Sequence, residues 1–261
     1  MPSTQTHTWG PAEVDADVIA AFARGINHTG TGAHPLFIAR GLIPGSAKVL
    51  MQPDLSIDIQ RIVHAGLELT FHSRAREGDP LYCASHLESL EDKETGTLIA
   101  IHISVNAGDR LLADGITRYF IRGATRAAKR EPPPPLDGPD LVQVEVSTRP
   151  DQSQLYAVGS GDRFPIHTDE AFARAVGLPG VIMHGMCTLA LCVDAMVEAA
   201  PHGDLARLGG LSCRFAAMLQ PGQAIHVVGL ADADGMRFEA RRPDGRLVIS
   251  DARLEFRAEM T

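Results

Sequence analysis

Four consecutive prolines, Pro132 to Pro135, lie near the middle of this 261-residue chain. Proline fixes φ and carries no N–H, so the run can enter neither a helix interior nor a central strand. An extended polyproline path remains, and ATRAAKREPPPPLDGPD, residues 124–140, reads as a linker. Its charges, Arg126, Lys129, Arg130 and Glu131, read as solvated. Two units result, 1–123 and 141–261, each large enough to fold around a core of its own.

The units repeat one another. GLELTFHSRAREGDP begins at Gly66, and GLSCRFAAMLQPGQA begins at Gly210. Leu67 and Phe71 match Leu211 and Phe215, and Gly78 matches Gly222, all at an offset of 144. Further on, Leu111 and Phe120 match Leu247 and Phe256 at an offset of 136. A shorter hairpin in the second unit accounts for the lost residues.

The matched blocks read as strands, with β-branched residues and partial alternation in 99–105, 224–231 and 246–256. Asp234-Gly235 and Asp244-Gly245 are expected as hairpin turns. Helical material precedes the strands in each unit. It covers 12–26 in the first unit. The second has a short helix capped by Thr148, then 168–178 and 185–200. Met186, Leu189, Ala190, Val193 and Val197 form one face of the last helix, and Cys187, Leu191 and Met196 the other. A helix apolar nearly all round must be enclosed by protein. A curved antiparallel sheet around a central helix, twice over, satisfies that need, and the class is α+β.

Composition narrows the function. A formal charge of −8 lacks the broad basic field of nucleic-acid binders, and 5% aromatics disfavour base-stacking platforms. The longest apolar stretch, Val181 to Met196, is broken by His184, Gly185, Thr188 and Asp194, and is too short for a membrane span. No leader pattern is visible at the N-terminus, and the four cysteines lack metal-cage or disulfide spacing. A reduced, cytoplasmic setting is expected.

Polar chemistry concentrates in 155–192. Gly159 and Gly161 bracket Ser160 before Asp162, and Pro165 stiffens the path to His167. An Asp and a His held five residues apart can converge on one water and do acid–base work. His28, His34, His64, His72, His86 and His102 show no usable joint spacing. Asp162, His167 and His184 have no spacing that demands a metal, 231–235 reads as a turn rather than a calcium loop, and Gly159–Gly161 is too short to hold phosphate.

The run Y-x-x-x-S-G-D-x-x-P-I-H (Tyr156 to His167), followed by H-G-M at 184–186, resembles the MaoC-like dehydratase family, which includes the (R)-specific enoyl-CoA hydratases. The resemblance implies a double hotdog fold. The first unit would be its degenerate repeat, with HPLF at 34–37 and no Asp–His loop, making room for the acyl chain. It implies a hydro-lyase that interconverts trans-2-enoyl and (R)-3-hydroxyacyl thioesters, with coenzyme A or an acyl carrier as part of the substrate and no separate cofactor or metal. Asp162 and His167 would hold the water and Gly185 N–H the thioester oxygen. Ser160 would support the turn or meet substrate, and His184 would fix the loop. The family usually has Asn two residues after the Asp; here Phe164 stands there, and is expected to shape the acyl site. A hotdog thioesterase and a non-catalytic acyl-thioester-binding subunit are the competing readings. Arg207 and Arg214 are candidates for coenzyme A phosphates or plain surface charges. Both a monomer and a homodimer of such chains fit.

Overall fold

A computed structural model describes residues 5–125, 133–139, 141–200 and 203–258. The linker charges Arg126, Lys129, Arg130 and Glu131 lie outside the described residues, while Pro133 to Pro135 run without helix or strand.

Among the described residues, ten strands form one antiparallel sheet. They are β1 (His7–Glu13), β2 (Ile62–Phe71), β3 (Pro80–Lys93), β4 (Gly96–Ala107), β5 (Arg110–Arg122), β6 (Leu141–Ser147), β7 (Leu208–Phe215), β8 (Ala224–Asp232), β9 (Gly235–Arg241) and β10 (Leu247–Phe256). Their order is β1-β3-β4-β5-β2-β7-β10-β9-β8-β6. Read outward from the β2–β7 seam, the two halves have the same order. At that seam Glu68 faces Ser212, and these two positions are also partners under the 144-residue offset. The sequence repeat and the strand register therefore locate the same pseudo-two-fold axis. Gly78 and Gly222, also offset partners, have φ of 84° and 83°. The expected shorter hairpin is present: β8 and β9 have 9 and 7 residues, against 14 and 12 in β3 and β4.

The described residues also form five α-helices: α1 (Ala16–Gly25), α2 (Ala39–Leu50), α3 (Gln152–Ser160), α4 (Glu170–Ala175) and α5 (Gly185–Ala199). The Asp15 carboxylate caps α1 by accepting from Val18 N at 2.7 Å. As expected of a helix apolar all round, α5 is buried along most of its length and packs against β6, β8 and β9. In the first half α2 takes that place against β1, β3 and β4.

Helices α1 and α3 pair across the axis. A Cβ on Gly25 would lie 2.7 Å from Tyr156 Cα, and one on Gly159 would lie 2.3 Å from Phe22 Cα. Each glycine stands three residues after the aromatic that the other helix meets, so the contact is isologous, and only glycine lets the backbones come so close.

Three local expectations need correction. Thr148 caps no helix. Its hydroxyl donates to Gln223 O at 2.7 Å, and α3 starts later because the Gln152 side chain takes the Arg149 N–H at 3.1 Å and donates to Gly25 O at 2.7 Å. The helix expected over 168–178 is only α4, capped by Asp169 at Phe172 N (2.9 Å) and stopped at Gly177 (φ 83°). The hairpin turn near 234 consists of Ala233 and Asp234, because Asp232 pairs with Gly235. Gly235 opens β9, where a Cβ would lie 1.9 Å from Leu254 O.

Candidate active site

The segment between α3 and α5 carries the predicted residues. Helix α3 ends at Ser160, and Gly161 (φ 77°) reverses the chain into Asp162. The Ser160 hydroxyl donates to Tyr156 O (2.8 Å) and accepts from Asp162 N (3.2 Å). Ser160 is buried, and its hydroxyl is spent on the turn. One carboxylate oxygen of Asp162 accepts from Phe164 N at 3.2 Å. That bond uses the backbone of residue 164, so Phe preserves it where Asn was expected. The Phe164 ring lies edge-on to Phe172 of α4, centroids 6.4 Å apart.

His167 closes a single 3-10 turn, Pro165–His167. Its Nδ1 lies 2.8 Å from Ile182 O. A nitrogen facing a carbonyl must carry the proton, which leaves Nε2 with a lone pair. Burial lowers the pKa of His167, opposed by the Asp162 charge and the bond to Ile182. The ring is therefore a neutral base at physiological pH. His184 stacks on it with centroids 3.8 Å apart, and His184 Nε2 donates to Asp162 O at 2.9 Å. Burial, then the neighbouring His167, holds the pKa of His184 well below the usual histidine value. His184 Nδ1 and the Tyr156 hydroxyl are buried without partners among the described residues. The Tyr156 and His184 rings lie 4.8 Å apart.

Ligand-capable atoms of Asp162, His167 and His184 lie within 4.8 Å of one another, a spacing that suits a shared water or a small cation. Gly185 follows directly as the first residue of α5, and no side chain caps that helix. Its first N–H groups carry the positive end of the helix dipole and can receive an anionic oxygen. A Cβ on Gly185 would lie 3.2 Å from the Phe215 ring, which covers this helix end.

Two neighbours escaped the sequence reading. His64 on β2 lies 4.7 Å from the Phe215 ring, stacks on Tyr119 at 4.9 Å and shares a hydrogen with Thr117 Oγ1 at 2.8 Å. Burial pushes its pKa down to about 4. The one available signal was the repeat, which puts His64 opposite Leu208. Arg40 on α2 donates from Nη1 to Gly159 O at 3.1 Å. Nothing local in the sequence ties it to that turn.

The first half has its own histidines at the corresponding place in chain order, ahead of its central helix. Asp194 of α5 accepts from His28 Nδ1 at 2.8 Å and from His34 Nε2 at 3.1 Å. The backbone N–H of Leu36 points at His34 Nδ1 at 3.0 Å, so the His34 proton sits on Nε2 against Asp194. His34 is followed by Pro35, where His184 is followed by Gly185. Pro35 has no N–H, and the next one is spent on His34. The first half has histidines but no open donor at its helix start. Of the two arginines considered for phosphates, Arg214 lies on the outer face of the sheet, 3.6 Å from Asp251. Arg207 donates to Arg257 O at the far end of β10.

Residues 134–241 match the family model described as MaoC like domain, and residues 20–110 match one described as FAS1-like, dehydratase domain region. The enoyl-CoA hydratase ChsH3 of Mycobacterium tuberculosis is 28% identical over 181 residues, 67% of this chain and 63% of that protein. The 3-hydroxyacyl-thioester dehydratase Y of the same organism is 27% identical over 211 residues, 75% of this chain and 72% of that one. The mouse peroxisomal multifunctional enzyme type 2 is 25% identical over 77% of this chain but only 28% of its own length. The chain thus spans less than two thirds of two of these relatives. Among solved structures, a MaoC-like dehydratase from Phytophthora capsici superposes with a TM-score of 0.82 at 23% identity, covering 99% of this chain and 97% of that one. A Mycobacterium tuberculosis protein with a double hotdog fold superposes at 0.66 and 17% identity, covering 98% and 96%. The fold is the double hotdog, as the motif implied.

Proposed function

We propose that this chain, whose residues 134–241 match the MaoC like domain, hydrates trans-2-enoyl thioesters to (R)-3-hydroxyacyl thioesters, or runs the dehydration. The observation that carries this is His167, whose Nδ1 is pinned to Ile182 O at 2.8 Å and which has a ring nitrogen within 4.8 Å of an Asp162 carboxylate oxygen.

A water shared by His167 Nε2 and Asp162 is poised to attack C3 of the enoyl group. As its oxygen bonds to C3, one proton passes to the pair and one is delivered to C2. The hydroxyl ends on C3 and the hydrogen on C2, and the protein returns to its starting protonation state. Negative charge builds on the thioester oxygen during the attack. Gly185 N–H, at the positive end of α5, meets that charge. No oxidation state changes, so the step calls on no redox cofactor, and the helix end takes the place of a metal as the positive partner.

Coenzyme A fits as the carrier. The outer face of the sheet holds a groove of about 1300 Å³ that reaches Phe215, the residue over Gly185, and is lined by Arg61, Lys93, Arg118, Arg122 and Arg214. Guanidinium groups suit its phosphates. Phe164, edge-on to Phe172, shapes the acyl end.

The test is loss of enone absorbance with a panel of enoyl-CoA substrates. Asp162→Asn and His167→Ala should each lose at least about 10²-fold in kcat, the lower end of general acid–base contributions. Near-normal turnover by either variant removes the mechanism. Release of free thiol without loss of the enone would show a thioesterase instead. Since burial lowers the pKa of His167, the acid limb of the rate should lie below the ordinary histidine value near 6.5.

A further inference from the structure

We propose that Arg40, carried by the central helix of the first repeat, is a positioning residue for the acid–base pair of the second. The inference rests on the reading of Asp162 as a member of that pair. Past the end of the helix ladder, the last carbonyls of α3 need donors from elsewhere. Gly161 N closes the ladder on Ala157 O at 3.1 Å, and Ser160 Oγ adds a bond to Tyr156 O at 2.8 Å. Gly159 O, beyond the ladder, is taken by Arg40 Nη1 at 3.1 Å, from a residue 119 positions away. The same Nη1 stands 3.5 Å from where a Cβ on Gly161 would sit, so the guanidinium lies against both glycines that frame Ser160. Its Nε is buried without a partner among the described residues. A surface arginine would turn that nitrogen to water; here it is held in place, and the carbonyl it grips is three residues from Asp162.

The geometry makes a specific demand. The turn from Gly159 to Asp162 has α1 packed behind it, through Phe22, and Arg40 holding its carbonyl. Among the described residues no other side chain holds that carbonyl. His184 grips the Asp162 carbonyl, but without the guanidinium the turn before it loosens, and the Asp162 carboxylate can shift relative to His167, which is anchored separately on Ile182 O. A displacement of about 1 Å in a reacting group can cost on the order of 10²-fold in rate.

The experiment measures kcat and KM of Arg40→Met, Arg40→Ala and Asp162→Asn on one enoyl-CoA. Met keeps most of the stem and loses the donors. Arg40→Met should lose about 10- to 100-fold in kcat with KM changed less than about threefold. Adding methylguanidine to Arg40→Ala should restore rate saturably, which a packing defect would not allow. If Arg40→Met turns over like wild type while Asp162→Asn is inactive, the positioning role is wrong and the hydration mechanism stands. If Asp162→Asn is fully active, the parent mechanism fails first. Should Arg40→Met not fold, the rescue decides: an impaired Arg40→Ala that methylguanidine leaves unchanged overturns the proposal.

Discussion

His184 and His34 have almost the same backbone, φ/ψ of −62°/135° and −60°/146°; His184 stands just before α5, and His34 just before the 3-10 turn Pro35–Ile38 that leads into α2. That conformation is the one a residue before proline must adopt. His34 does precede proline; His184 precedes glycine. One residue thus separates a helix start that can hold an oxyanion from one that cannot. Gly185→Pro becomes a clean deletion of a single N–H, because proline suits the first helical position. It should leave the fold intact and lower kcat about 10²- to 10³-fold, the cost of one oxyanion donor. Combining it with Phe215→Leu relieves the ring at 3.2 Å. Wild-type turnover by the double variant would show that Gly185 N–H does not meet the thioester oxygen. At this scale the convergence of Asp162 and His167 was legible because both lie within one short rigid loop. Arg40 and His64 were not, since only the tertiary fold brings them near. Phe164 was legible as a departure, but not the backbone bond to Asp162, which ignores the side chain.

Among the elements, helix α5 was plain from its all-round apolar pattern, and α2 was hidden. GLIPGS within α2 reads as a turn, with Gly41, Pro44 and Gly45 in six residues. The structure explains the glycines by packing rather than by turning. A Cβ on Gly45 would lie 2.3 Å from Cys83 Sγ, so the helix can press onto β3 only without one. The α1–α3 contact follows the same logic with less slack, because the atoms opposite Gly159 are backbone. Gly159→Ala would put a Cβ 2.3 Å from Phe22 N and Cα. Overpacking against side chains costs about 1–3 kcal/mol, and here neither helix can yield by a rotamer change. The expected loss is therefore at or above about 3 kcal/mol in urea unfolding. A loss below 1 kcal/mol would mean the two helices are free to separate. The tie between Asp194 and His28 and His34 is a further link between the repeats. Asp194→Ala leaves two imidazole N–H groups without their acceptor, one of them fully buried, and should cost about 1–3 kcal/mol without moving KM.

The molecule keeps four histidines neutral, His34 and His184 buried and His64 and His167 half-buried. His34, His64, His167 and His184 all have pKa values lowered, burial being the first cause in each, and for His64 the value is about 4. In the unfolded chain each would titrate near 6.5. The unfolded state therefore takes up protons, as pH falls from about 7, that the folded state refuses. Stability is full above the unfolded value and is lost on acidification. Each withheld proton steepens the fall by up to about 1.4 kcal/mol per pH unit. The window, from near 6.5 down toward 4, lies above the range in which a paired surface carboxylate such as Asp244, at about 2, is protonated. Acid sensitivity should therefore begin while the carboxylates are still ionised. Urea unfolding at pH 7, 6 and 5 checks this, with His64→Leu as the informative variant. Leu is the residue the second repeat uses at the matching position, Leu208. The variant loses the Thr117 bond and is less stable at pH 7. It also loses one titrating group, so its stability should fall between pH 6 and 5 less steeply than wild type by about one proton's worth. Parallel curves for the two proteins would show that His64 is already neutral in the unfolded chain or protonated in the fold, against its burial between Phe215 and Tyr119.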